Sequence, residues 1–146
     1  MAKQQQYHMI SVYIASIYRQ SKAEYKKKIV NPSCTGTQSD LLMFLYDHLG
    51  LCQRQIAGFM GVDPSLLARD VKALEEQGLV SCQANPADRR AKVVTLTRQG
   101  VKQSKEQIQA INAWWARFFQ QEPGMDPQSL YQGLASVSQR LLAETR

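Results

Sequence analysis

The feature that most constrains this 146-residue chain is the order of local signals between residues 53 and 100. A short segment of helical periodicity stops at Gly61, and a second begins at Asp63 and Pro64. Asp is a favourable N-cap, and Pro fits the first helical position because its missing N–H would have had no intrahelical partner. The pattern predicts two helices joined by a tight turn.

The second of these helices has one apolar and one polar side. Leu67, Val71 and Leu74 recur at spacings of four and three, which places them on one buried face. A helix held in this way fits the DNA major groove, where each base pair presents a distinct pattern. The candidate DNA-contacting residues on the exposed side are Ser65, Leu66, Ala68, Arg69 and Lys72. Taken alone, such residues are equally typical of a solvated helix surface.

A β-hairpin is predicted to follow the second helix. Residues 79–84 and 91–96 are rich in Val, Leu and Thr, and the segment between them has turn chemistry. Arg89 and Arg90 at the tip suit a narrow minor groove, whose negative potential attracts an inserted Arg. Asp88 is expected to accept hydrogen bonds from one of these side chains or from loop N–H groups. The triplet alone is also compatible with a solvated loop.

Five short motifs occur in order between residues 55 and 100. They are Gln55-Ile56-Ala57, Gly61-Val62-Asp63, Leu74-Glu75-Glu76-Gln77-Gly78-Leu79-Val80, Asp88-Arg89-Arg90 and Leu96-Thr97-Arg98-Gln99-Gly100. Together they resemble the multiple-antibiotic-resistance regulator (MarR) family of bacterial transcription factors, which have a winged helix-turn-helix. The resemblance implies a homodimer on palindromic operators, usually a repressor released by a small molecule or by oxidation. It also implies that Arg90 enters the minor groove, that Asp88 orients it, and that residues 65–69 contact bases.

Three residues depart from the family pattern. Cys82 lies where relatives commonly carry Arg, Cys52 occupies the usual Thr or Ser N-cap, and Asp70 replaces a commonly apolar residue. These departures bear on operator sequence and affinity rather than on family.

Composition favours a polyanionic partner without locating its site. The net charge is +6, and neutralising DNA phosphates releases condensed counterions. Residues 1–30 carry six Lys or Arg against one acidic residue, whereas residues 53–92 carry six against five. The predicted DNA-binding region therefore depends on a few placed side chains.

No enzymatic, cofactor or metal site is predicted. The chain has two His, no Gly-rich phosphate loop, no Cys-x-x-Cys pair and no nucleophile elbow. It has no apolar run long enough for a bilayer and no signal-peptide core, so we expect a cytoplasmic protein without a membrane partner. Its length fits a single domain over residues 1–146.

The flanks of the motif predict a dimerisation region, residues 1–30 and 98–146, around a DNA-binding region of residues 37–97. A long N-terminal helix broken at Asn31 and Pro32 is expected, with a second helix capped by Thr97 and a third after Asp126. In the third, Leu130, Leu134, Val137 and Leu141 form a seam suited to another helix. Two-fold symmetry would place the two DNA-reading helices roughly 34–36 Å apart.

A small-molecule effector is expected between the first helix, a helix over residues 37–49 and the long helix after Thr97. Thr37 and Asp40 resemble a capping pair for the middle helix. The candidate pocket residues are Tyr13, Tyr18, Arg19, Tyr25 and Trp115. Aromatic residues at helical spacing more often belong to a core than to a ligand pocket.

Two other functions stay open at this point. Cys52 near a helix N-terminus is a candidate thiol for oxidant sensing, although a buried structural Cys is the commoner case. A winged helix can also serve as a protein–protein interaction module, since fold alone does not fix function. A steep salt dependence of DNA binding distinguishes a DNA-binding protein from such a module.

Overall fold

The computed structural model describes residues 5–28 and 34–144, except for the side chains of Lys28 and Arg89. In this part of the chain the elements are α1 (His8–Lys28), α2 (Gly36–Asp47), α3 (Gln53–Met60), α4 (Pro64–Glu76), β1 (Val80–Asn85), β2 (Asp88–Leu96), α5 (Arg98–Gln121) and α6 (Pro127–Glu144). The mainly helical fold with a small antiparallel hairpin is confirmed. The predicted break at Asn31 and Pro32 lies outside the described residues.

The N-terminus of α2 differs from the predicted one. Thr35, not Thr37, is the N-cap, and its hydroxyl accepts a hydrogen bond from the backbone N–H of Gln38. The Gln38 side-chain oxygen in turn accepts a hydrogen bond from the Thr35 N–H at 3.2 Å, which completes a capping box. Asp40, the predicted partner of the cap, is not part of it. Its carboxylate pairs with Lys22 and accepts a hydrogen bond from the Tyr18 hydroxyl.

The helix-turn-helix forms as the sequence predicts. Gly61 ends α3 in the left-handed region at φ +65°, and the Asp63 side chain accepts from the Ser65 N–H to cap α4. One core joins α2, α3, α4 and the hairpin, and its buried residues are Leu41, Leu42, Leu45, Ile56, Ala57, Leu67, Val71, Leu74, Leu79, Val80 and Val94. Asp70 lies on the inner side of α4 and is only 6% exposed.

The hairpin is longer than predicted, and its turn is shorter. Val80 pairs with Leu96 and the register continues to Ala84 and Lys92, after which it shifts so that Asn85 faces Asp88. The Asn85 side chain accepts from the Ala87 N–H at 3.0 Å, an Asx turn that reverses the chain within two residues. Residues 89–91 therefore lie within β2 in a local irregularity, not in a loop between separate strands.

The hairpin base and the start of α5 are tied together at Thr97. Its hydroxyl donates to the Gly78 carbonyl at 2.6 Å and accepts from the Gly100 N–H at 3.1 Å. Its own N–H donates to the Leu79 carbonyl at 3.1 Å. The first turn of α5 packs so closely here that a Cβ on Gly100 would lie 1.9 Å from the Leu79 carbonyl oxygen.

The terminal helices leave much of their apolar surface exposed. No residue of α6 is buried, and Leu134, Val137 and Leu141 are 46%, 60% and 57% exposed. Ile10 and Tyr13 on α1 are 55% and 59% exposed. Within the described ranges, none of the helices has the length and hydropathy needed to cross a membrane.

Gly100→Ala is expected to destabilise the protein by about 2–3 kcal/mol, because the added methyl collides with backbone that cannot rotate away. Gly58→Ala is the matched control, since a Cβ there meets nothing within 4 Å. Ala favours a helix over Gly by up to about 1 kcal/mol, so this control should be neutral or stabilising. Urea unfolding at one protein concentration measures both, and equal stabilities of the two variants would contradict the close approach.

Candidate nucleic-acid interface

The outer face of α4 presents most of the predicted DNA-contacting residues to solvent. Ser65, Ala68, Arg69 and Lys72 are exposed, whereas Leu66 is half-buried. The inner face is anchored by Leu67, Val71 and Leu74 in the core. Burial of one side therefore fixes the rotation of α4 about its axis, and with it the direction of the polar side chains.

The N-cap of α4 also fixes the Ser65 side chain. Asp63 Oδ1 accepts from the Ser65 hydroxyl and, at 2.8 Å, from the Ser65 N–H. Donation by the hydroxyl, followed by donation from the N–H, lowers the pKa of Asp63 from its ordinary value of 3.8. Because the Ser65 hydroxyl donates its hydrogen to Asp63, its exposed oxygen is left to act as an acceptor.

The wing, the β1–β2 hairpin, is held at its tip by side-chain contacts to backbone. Asp88 Oδ1 accepts from the Arg90 backbone N–H at 3.0 Å, one of the two kinds of donor expected from the sequence, although this N–H lies in β2 and not in a loop. The Arg90 side chain is exposed, and the Arg89 side chain is outside the described residues. Asp88 thus shapes the backbone that carries Arg90.

Beside the wing runs an open cleft of about 550 Å³, which we call the wing cleft. It is lined by Cys52, Gln53, Arg54, Asp88, Arg90, Ala91 and Lys92. One wall is the start of α3, and the other is β2. The Val94 N–H donates to the Leu51 carbonyl at 3.1 Å, and Cys52 forms a β-bridge with Val93, so the two walls are joined by backbone.

Sequence reasoning missed Arg54 and Lys92 as members of this surface. Lys92 lies two residues after Arg90 on the same strand, and this closeness in the sequence to a predicted site residue was an available signal. Arg54 had no such signal, because its position next to β2 depends on the bridge between Cys52 and Val93, residues 41 positions apart in the chain.

None of the three cysteines forms a disulfide, and all three are half-buried. Burial raises the pKa of the Cys34 thiol, and burial together with a hydrogen bond to Glu75 raises the pKa of the Cys82 thiol. Cys52 is the N-cap of α3, and its N–H donates to the Gln55 side chain at 3.0 Å. Cys52 is one of the residues that line the wing cleft.

A second cavity, the apolar groove, has a volume of about 320 Å³ and lies between α1, α2, α5 and α6. Its lining residues are Ile14, Ile17, Tyr18, Ser21, Lys22, Met43, Ile111, Trp115, Leu130 and Leu134. Of the five predicted pocket residues, Tyr18 and Trp115 therefore line it, whereas Tyr13 and Arg19 are exposed elsewhere on α1.

Tyr25, the fifth predicted pocket residue, is core rather than lining. It is 5% exposed, and desolvation is the main cause that raises its pKa to about 12. Helical periodicity gave no way to distinguish it from Tyr18, which lies two turns earlier on the same helix.

One wall of the apolar groove carries a charged network. Lys22 pairs with Asp40, donates to the Gly36 carbonyl and lies 5.2 Å from the centroid of the Tyr18 ring. Desolvation, followed by the hydrogen bond to Asp40, raises the pKa of Tyr18, so the phenol stays protonated as a donor. The network connects α1 to α2.

Ser65→Ala is expected to raise the pKa of Asp63 towards 3.8, since it removes the largest cause of the lowering. A lowered folded-state pKa means that the cap stabilises α4 fully above the ordinary Asp value and loses this effect as the pH falls through the folded-state pKa. An NMR titration of the carboxyl measures the shift. Ser136→Ala, which removes only a contact to the Gln132 carbonyl, is the control. An unchanged midpoint in Ser65→Ala would refute the assignment.

The comparisons with known proteins agree with this geometry. Residues 34–92 match the family model described as MarR family. Over 92 residues the chain is 30% identical to the HTH-type transcriptional regulator YdgJ of Bacillus subtilis (strain 168), a match covering 61% of this chain and 54% of that protein. The matched region thus spans about half the length of that relative.

Solved structures share the fold over nearly the whole chain. A MarR transcriptional regulator from Methanosarcina mazei Go1 is 25% identical with a TM-score of 0.71, covering 94% of this chain and 97% of that one. CouR of Rhodococcus jostii RHA1, bound to p-coumaroyl-CoA, is 22% identical with a TM-score of 0.69 and coverages of 90% and 91%. The repressor CouR bound to a 23-mer DNA duplex is 18% identical with a TM-score of 0.73 and 92% coverage of both chains. The MarR family model thus matches the part of the chain that holds the helix-turn-helix and most of the wing, and a MarR transcriptional regulator shares the fold of the chain.

Proposed function

We propose that this protein is a homodimeric, sequence-specific DNA-binding transcriptional regulator that represses a palindromic operator and is released by a small-molecule ligand. The observation that carries the proposal is the pairing of an exposed polar face on α4 with an Arg-bearing wing on one buried core. The DNA-bound form of CouR has the same fold and gives independent support.

The exposed face of α4 supports contact with the major groove. The planar guanidinium of Arg69 suits a bidentate contact with guanine or a contact with a phosphate. The Ser65 hydroxyl donates to Asp63, and its oxygen remains available as an acceptor. Ala68 and the half-buried Leu66 are apolar groups suited to thymine methyls. Lys72, further along the helix, is suited to a backbone phosphate.

The wing supports contact with the minor groove. Arg90 is exposed on a strand whose tip is held by Asp88 and Asn85. A rigid support lowers the entropy lost when the side chain is fixed on DNA, so more of the electrostatic attraction appears as affinity. Arg89 is proposed as its neighbour in the same groove.

The unburied apolar faces of α1 and α6 support a homodimer. A monomer would leave Leu134, Val137 and Leu141 of the predicted seam about half exposed in water. Two copies related by a two-fold axis present the same surface to each other, so an apolar patch on one covers its counterpart on the other. We propose that α1, α5 and α6 form this interface.

The apolar groove supports a small-molecule effector. It opens between the proposed dimerisation helices and α2, and α2 is tied to α5 by the bond from the Ser104 hydroxyl to the Leu42 carbonyl at 3.1 Å. A ligand that prefers one spacing of these helices would shift the distance between the two wings, since coupling requires different affinities for two dimer states. CouR binds p-coumaroyl-CoA with the same fold.

Arg90→Ala is expected to weaken binding to an operator recovered from random-sequence duplex DNA by about 1–3 kcal/mol and to reduce the salt dependence. Lys105→Ala, an exposed lysine on α5, is the control and should leave affinity nearly unchanged. Fluorescence anisotropy at several salt concentrations measures both. Wild-type protein with no salt-dependent DNA affinity would instead favour a protein–protein interaction module.

Val137→Asp is expected to weaken the dimer, because it places a charge in the proposed seam, whereas Gln139→Asp adds the same charge to α6 outside it. Analytical ultracentrifugation of the two variants at matched concentrations measures the change. We expect a tenfold or greater rise in the dimer dissociation constant for Val137→Asp only. Equal dissociation constants for the two variants would show that α6 is not part of the interface.

A further inference from the structure

We infer that the wing cleft binds the DNA sugar–phosphate backbone beside the minor groove, with Arg54 and Lys92 as phosphate-contacting residues. This inference rests on the proposed DNA-binding function. It assigns a role to two basic residues that the sequence motifs do not include, and it implies that a bound phosphate lies near Cys52, which lines the same cleft.

The charge of the wing cleft favours an anion. Its lining contains three cations, Arg54, Arg90 and Lys92, and one carboxylate, Asp88. The Asp88 carboxylate already accepts from the Arg90 N–H. Among the side chains that the structure describes, Arg54, Arg90 and Lys92 form no ion pair, in contrast to Lys22, Arg117 and Arg140. The cleft is therefore a concave surface with uncompensated positive charge.

The cleft is also built on rigid elements. Arg54 lies in the first turn of α3 and Lys92 lies in β2, and the backbone bond between Val94 and Leu51 fixes the distance between these two walls. Ile56 and Ala57 of α3 and Val94 of β2 are buried in the common core. Cations on such supports are held apart at a fixed separation, so binding a phosphate between them costs little rearrangement of the backbone.

The position of the cleft matches the path of a backbone strand. The minor groove is only about 6 Å wide, so a wing that enters it has sugar–phosphate strands on both sides. The cleft extends along β2 from Asp88 and Arg90, near the tip, to Lys92. Phosphates of the strand flanking the groove would therefore pass between β2 and the start of α3, with Arg90 at one end of the contact.

Arg54→Ala and Lys92→Ala test the inference, with Lys105→Ala as the matched control. Each cleft variant is expected to bind the selected duplex about tenfold more weakly. Each should also make the negative slope of log affinity against log salt shallower by about 1. The loss of affinity should be similar for unrelated duplex sequences, as expected for a phosphate contact. If wild-type protein binds with a steep slope and both variants keep it, the cleft is not a phosphate site, although the proposed function stands. If wild-type protein does not bind DNA, the proposed function fails first.

The Cys52 thiol provides a second test that changes charge at one point in the cleft. In a Cys34→Ser, Cys82→Ser background, Cys52 is converted to a mixed disulfide by a methanethiosulfonate reagent carrying either a sulfonate or a trimethylammonium group. The thiolate attacks the reagent sulfur and releases methanesulfinate, so both products have similar bulk and opposite charge. The sulfonate adduct should bind DNA at least tenfold more weakly than the ammonium adduct, and the difference should shrink at high salt. Equal affinities would contradict a phosphate bound near Cys52.

Discussion

The rest of the structure depends on the close contact between the first turn of α5 and the chain that leaves α4. Thr97 and Gly100 together join the Gly78 and Leu79 carbonyls, the end of β2 and the N-terminus of α5. The gap is so narrow that only Gly fits at position 100. Because the wing, α4 and α5 meet at this point, their relative orientation is fixed by contacts to backbone, with only the short Thr97 side chain between them.

Further contacts extend this rigid unit to α2 and α1. The buried Ser104 hydroxyl binds the Leu42 carbonyl and joins α5 to α2, and Lys22 joins α1 to α2 through Asp40 and the Gly36 carbonyl. Since α2 shares a core with α4, a displacement of α1 or α5 is transmitted through packed side chains to α4. The apolar groove lies among these helices, so a ligand proposed to bind there would contact elements that are joined to α4 through the core.

Features set by residues close together in the chain could be predicted from the sequence, whereas features set by contacts between distant residues could not. The caps at Asp63 and Thr97, the Gly61 turn and the stripe of Leu67, Val71 and Leu74 are local signals, and the structure contains them all. The predicted N-cap of α2, Thr37, is two residues from the observed one, Thr35, because each threonine is followed three residues later by a side chain that could complete a capping box. Arg54 in the wing cleft and Tyr25 in the core were not foreseeable, since each is placed by pairing across tens of residues.

The central claim is that two copies of this chain bind one DNA duplex, each through its α4 and its wing. Sedimentation velocity of the protein mixed with an excess of a selected operator duplex tests it most directly, because it reports how many chains the complex contains. The account predicts two chains per duplex at low salt and none at high salt. A complex of one chain per duplex, or free duplex even in dilute buffer, would contradict it.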